Sequence, residues 1–179
     1  MKFVETSLPG VLVVEPTVFG DSRGFFFEVH HAGKFAAAGV ERTFVQSNHS
    51  RSAKGILRGL HIQTRNVQGK LVRVVRGSVW DVAVDVRPDS PHFGRWFGTE
   101  LSEDDKRALW VPEGFAHGFV VTSEVADVVY MCTDLYSPEH ERVLAWNDPT
   151  VGIAWPVSDP KLNARDAAGL PLDAFRASP

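Results

Sequence analysis

The chain has 179 residues, 44% of them apolar and 23% charged, with 19 basic side chains against 22 acidic ones for a net charge of −3. That composition excludes a disordered chain, a collagen and a coiled coil, and the slight acidic excess excludes a bulk positive field for nucleic acid. The single cysteine, Cys132, excludes an internal disulfide and a Cys-rich zinc site. No apolar run approaches the roughly 18 residues of a membrane span, and the first ten residues lack a signal-peptide core. One soluble, cytoplasmic domain over residues 1–179 is the expectation.

In chain order, the first expected strands are 10–16 and 24–29, the latter carrying Phe25-Phe26-Phe27 as a core run between Arg23 and Glu28. Residues 31–38 read as a short helix stopped by Gly39, a good residue just past a helix end. Strands are expected at 55–63 and 70–76, with a hairpin-turn signal at Arg76-Gly77-Ser78. Residues 79–86 alternate strictly: Trp80, Val82, Val84 and Val86 share one face, Asp81, Ala83 and Asp85 the other. That period of two predicts a half-buried strand. Further strands are expected at 115–121 and 125–134, and a second helix over 159–168, opening at Asp159-Pro160. Many short strands, regular turn signals and little helix predict an all-β sandwich or barrel.

Two histidines stand apart from the other five. His61 lies in Leu57-Arg58-Gly59-Leu60-His61, and His117 in Phe115-Ala116-His117-Gly118-Phe119, both Gly-flanked apolar strand segments. His30, His31, His92 and His140 sit among polar or turn residues and read as solvated. A core histidine with a backbone partner remains an open reading for His61, but Arg58 in the same segment asks for an anion if buried. Gly59 between them suggests a bulge or close backbone approach that turns neighbouring side chains toward one cavity. Taken singly, Lys70 and Arg73 read as charges on an edge strand, Tyr130 as a packed tyrosine with a satisfied hydroxyl, and Asp166 as a solvated helix residue. Together, His, Lys, Arg and Tyr suit proton transfer beside an anionic substrate, and no P-loop, dinucleotide fingerprint or nucleophile elbow is present.

The spacing Pro112-x-Gly114-x-x-His117 resembles the second half of the cupin signature. The matching first half reads His61-Ile62-Gln63, without the second histidine and without a carboxylate, which makes a poor metal site. The runs 19–28, 44–50, 57–61, 69–73 and 112–119, with Tyr130, Tyr136-Ser137-Pro138, Trp146-Asn147-Asp148 and Arg165-Asp166-Ala167-Ala168, resemble the dTDP-4-dehydrorhamnose 3,5-epimerases over nearly the whole chain. The resemblance implies a cupin-type jelly roll that works as a homodimer, without metal or other cofactor, on a dTDP-4-keto-6-deoxyhexose. It implies His61 as the base, supported by Asp166, with Lys70 at the developing oxyanion and Tyr130 as the acid on the opposite face. It further implies that Gln46, Ser47, Asn48, Arg58, His117, Tyr136, Glu141 and Arg165 line the substrate path, Ser47 through its backbone. Arg23 and Glu28 are implied to reach the nucleotide end from the partner subunit. Three other functions stay open at this point: inversion of C3 alone, a non-catalytic sugar-nucleotide-binding cupin, and a metal-dependent cupin oxygenase.

Overall fold

The computed structural model describes residues 1–176. Two antiparallel sheets face each other. One has the strand order β1 (Lys2–Glu5), β2 (Leu12–Glu15), β10 (Ala108–Val111), β7 (Lys70–Arg76), β12 (Val125–Cys132), β5 (Gln46–Ala53). The other runs β13 (Glu141–Val143), β6 (Leu57–Gln63), β11 (Phe115–Val121), β8 (Ser78–Asp85), β9 (Trp96–Ser102). Between them Val72, Val74 and Val128 interlock with Val79, Ala83, Phe119 and Val121, the core of a jelly-roll sandwich. Among the described residues no helix is long and apolar enough to cross a membrane.

The alternation in 79–86 is real, but its two faces are not core and solvent. Trp80, Val82 and Val84 pack outward, beneath a covering segment that includes Leu144, Val151, Leu172 and Phe175. Asp81 and Asp85 are fully buried, which corrects the half-buried reading. A buried carboxylate needs partners. Asp85 takes Arg87 Nη2 at 2.6 Å and the Ser90 hydroxyl at 2.6 Å, while Asp81 turns into the space between the sheets.

The edge-strand reading of Lys70 and Arg73 also fails, because β7 lies inside its sheet between β10 and β12. Lys70 faces the opposite sheet, whereas Arg73 lies on the outer face, its guanidinium 5.4 Å from the centre of the Phe27 ring. Phe27 belongs to a two-stranded ribbon, β3 (Val18–Asp21) with β4 (Gly24–Phe27). This ribbon is not the core strand expected over 24–29: Phe19, Phe25 and Phe26 are 63%, 62% and 70% exposed.

The first helix forms almost as expected, α1 (Ala32–Ala37), with His31 Nδ1 accepting the Lys34 N–H and Gly39 at φ +83° beyond its end. The second is shorter than 159–168. It is the single turn α2 (Ala164–Ala167), started by Asn163, whose side chain accepts the Asp166 N–H at 2.7 Å. Six strands escaped the sequence reading: β1, β3, β5, β9, β10 and β13.

Candidate active site

A cavity of about 300 Å³ opens between the sheets. From one side β5 sends in Gln46, Asn48 and Ser50, β7 sends Lys70 and β12 sends Tyr130. From the other, β6 contributes Arg58 and His61 and β11 contributes His117. Residues three apart on a regular strand point to opposite faces, so Arg58 and His61 should not share a cavity. They do because the β6–β11 register shifts between His117 and Phe119. The shift is built on a glycine pair. Gly59 has φ +120°, and a Cβ there would stand 2.6 Å from Gly118 Cα; a Cβ on Gly118 would stand 2.6 Å from the Arg58 carbonyl oxygen. The sequence expectation for Gly59 is met in this form.

The pocket holds two histidine–aspartate pairs. His61 Nε2 lies 2.8 Å from Asp166 Oδ1, and Asp166 Oδ2 accepts the Gly59 N–H at 3.1 Å. Asp166, expected on a solvated helix face, is instead 1% exposed. Burial pushes its carboxyl upward, but the His61 hydrogen bond and charge, the Gly59 N–H and the Arg165 cation outweigh that and hold it below the usual carboxylate range. This partner fixes the orientation of the His61 ring. The second pair joins His117 Nε2 to Asp81 Oδ1 at 2.8 Å, with the other Asp81 oxygen buried and unbonded.

Across the cavity, Lys70 Nζ reaches the His61 carbonyl oxygen at 3.5 Å. Burial pulls its ammonium below the ordinary lysine value, against the opposing pull of Cys132, Glu141 and Asp81. The Tyr130 phenol is pushed above its usual value, first by burial and then by Cys132, with Arg58 opposing. It is therefore a protonated donor at neutral pH. No hydrogen bond ties its hydroxyl to the described residues, unlike the satisfied core tyrosine of the sequence reading. Cys132 lies behind it as a buried thiol, raised by burial and contacted by Asn48 Nδ2 at 3.6 Å.

Tyr136, Glu141 and Arg165 complete the mouth of the cavity. Of the other expected positions, Ser47 lies on the exposed opposite face of β5, as strand alternation requires. Arg23 and Glu28 do not line this chain's cavity; Arg23 pairs with Asp21, and Glu28 accepts Lys34 Nζ at 2.7 Å. Gln63, at the vacant position of the cupin signature, accepts the Ser137 N–H at 2.7 Å and donates to the Leu135 carbonyl at 3.1 Å, so it anchors the 135–137 loop. Among the described residues no three His, Cys, Asp or Glu side chains gather as an ion site. Sequence reasoning missed Ser50, Gln68 and Asp81. The first two were within reach, since each lies two residues along from an expected inward position.

A family model described as dTDP-4-dehydrorhamnose 3,5-epimerase matches residues 5–174. The chain is 54% identical over 171 residues to the dTDP-4-dehydrorhamnose 3,5-epimerase of Pseudomonas aeruginosa, covering 94% of each. It is 56% identical over 170 residues to that of Neisseria gonorrhoeae, covering 94% of this chain and 52% of the gonococcal protein. Its fold superposes with a TM-score of 0.94 on a Legionella pneumophila epimerase solved in complex with dTDP-4-keto-L-rhamnose, at 46% identity over 96% of this chain and 93% of that one. With a family model matched over residues 5–174, a relative 54% identical over 94% of both chains and a solved relative of the same fold, this chain belongs to the dTDP-4-dehydrorhamnose 3,5-epimerases.

Proposed function

We propose that the chain inverts C3 and C5 of dTDP-4-dehydro-6-deoxy-D-glucose, giving dTDP-4-dehydro-L-rhamnose, through enolates formed against the C4 ketone. Both carbons flank that ketone, so loss of either proton delocalises charge onto O4. His61, backed by Asp166, takes the proton; the Lys70 ammonium faces the oxyanion; the Tyr130 phenol returns a proton from the other side. One observation carries this reading: base and acid enter one cavity from opposite sheets, His61 on β6 and Tyr130 on β12. A sugar ring held between the sheets would turn one face to each, which is what inversion requires. Arg58, its Nε donating to Ser52 Oγ at 2.9 Å, offers a positioned cation for the diphosphate. Proton NMR of the turnover in deuterium oxide should show exchange at both C3 and C5 and an L-configured product. Exchange at C3 alone would replace this reading with mono-epimerisation.

The same reading calls for a homodimer with a shared pocket. A two-stranded ribbon is marginally stable by itself in water, and β3–β4 adds three largely exposed phenyl rings. Laid across a second copy, the ribbon would bury those rings and deliver Arg23 and Glu28 to the neighbour's cavity. Mixing Arg23→Ala chains with His61→Asn chains should then restore one working site per heterodimer, up to about half of the wild-type activity per heterodimer. No recovery despite demonstrated subunit exchange would sink the shared pocket.

A further inference from the structure

We propose that Arg165 and Glu141 are positioning residues for the His61–Asp166 pair, forming a carboxylate–guanidinium bridge whose charge balance sets the pH range in which His61 acts as a base. The proposal rests on reading His61 as that base. Asp166 Oδ1 serves two neighbours: His61 Nε2 at 2.8 Å and Arg165 Nε at 3.6 Å. Arg165 does not belong to Asp166 alone. Its Nη1 donates to Glu141 Oε2, the same oxygen that accepts the Tyr136 hydroxyl at 2.9 Å. Glu141, Arg165, Asp166 and His61 thus form a chain of alternating charge, drawn from β13, α2 and β6.

This geometry is not a by-product of adjacency. Consecutive residues of a helix point about 100° apart, so the Arg165 side chain is not directed onto Asp166 by sequence alone. Glu141, 24 residues away and with only 10% of its side chain exposed, holds the guanidinium in place. Two protein donors occupy its Oε2, which makes it a brace rather than a bare sugar contact.

The consequence has a sign. A guanidinium beside Oδ1 competes with the imidazolium for the same carboxylate, so it loosens the hold of His61 on its proton. The Glu141 anion behind it offsets part of that effect. The other groups around His61 are Lys70 on β7, His117 across the β6–β11 ladder and Arg58 on its own strand. Tyr130 lines the same cavity from β12, and Tyr136 lies in the loop before β13. Of these, Tyr136 donates to Glu141, and Lys70 and Tyr130 feel its charge, so the two variants are read against each other: loss of the bridge's cation and loss of its anion should move His61 in opposite directions.

The test is an NMR titration of the His61 imidazole in the ligand-free, full-length protein, run beside the acid limb of the kcat/KM profile. Arg165→Gln should move both upward by about 0.5–1 pH unit and Glu141→Gln should move both downward by a similar amount, as expected for one charge within several ångströms at a partly screened site. Arg165→Lys, which keeps the cation, should leave both within about 0.3 pH unit of wild type. Residues that merely line the substrate path would raise KM and leave the free-enzyme midpoint where it was. Midpoints that stay put, or move the same way in both charge-removing variants, overturn the bridge. Retained proton exchange in His61→Asn would overturn the base assignment instead, and the midpoints would still decide the bridge.

Discussion

His61→Asn should abolish both turnover and deuterium incorporation at C3 and C5, a loss of at least about 10³-fold in line with removal of a general base. The side chain is part-buried with its Nε2 2.8 Å from Asp166 Oδ1; asparagine is too short for that contact and cannot accept the substrate proton, but Asp166 keeps the Gly59 N–H and the Arg165 cation as partners. Folding should therefore survive the change, and the circular dichroism and melting profile of the variant provide the control. Because no enolate forms, exchange and inversion should fall together. A folded His61→Asn protein that still washes deuterium into either carbon would remove His61 from the base role and direct attention to the other imidazole of the cavity, His117.

Tyr130→Phe should fail in a different way. It keeps the His61–Asp166 pair and the Lys70 ammonium, so the enolate can form and can be reprotonated from the side it came from. Exchange should persist while inverted product forms at least ~10²-fold more slowly, the usual share of a positioned acid. The Tyr130 hydroxyl forms no hydrogen bond to the described residues, so its removal should change stability by less than about 1 kcal/mol, the worth of one ordinary hydrogen bond. The variant isolates chemistry from folding for that reason. Equal loss of exchange and inversion would assign the hydroxyl to enolate formation, and inversion near the wild-type rate would make it a packing residue.

Much of this site was legible in the sequence. Strands 70–76 and 115–121 fall where the pattern places them, but the turn at Arg76-Gly77-Ser78 closes no hairpin: it carries the chain from one sheet to the other, since β7 pairs with β10 and β12 whereas β8 pairs with β11 and β9. Gly59 between Arg58 and His61 signalled the close backbone approach that brings both side chains to one cavity. The resemblance pointed to positions 61, 70, 130 and 166, and the fold brings these four side chains together, His61, Lys70 and Tyr130 lining one cavity with Asp166 bonded to His61. Other elements left no such trace. β5 reads Gln-Ser-Asn-His-Ser-Arg-Ser-Ala, polar on both faces, because one face lines a wet pocket and the other meets solvent. Hydrophobic period, the usual mark of a strand, is absent there, and only pairing with β12 holds it in the sheet.

What the sequence by itself determined is the local grammar: which segments extend, where they turn, and which side chains share a face. What only the tertiary structure decided is what covers each face. In β8 the apolar stripe of Trp80, Val82 and Val84 lies outward under the C-terminal segment, and the stripe with Asp81 turns inward to His117. Asp166 reaches His61 across 105 residues of chain, from a single helical turn that on its own would be solvated. Phe25 and Phe26 of β4, which read as core, are left exposed on a ribbon with little of its own chain to pack against. Alternation is a property of the backbone and is written locally, whereas burial depends on segments far away in sequence, so the inward turn of Asp81 and the meeting of Asp166 with His61 exist only once the chain has closed on itself.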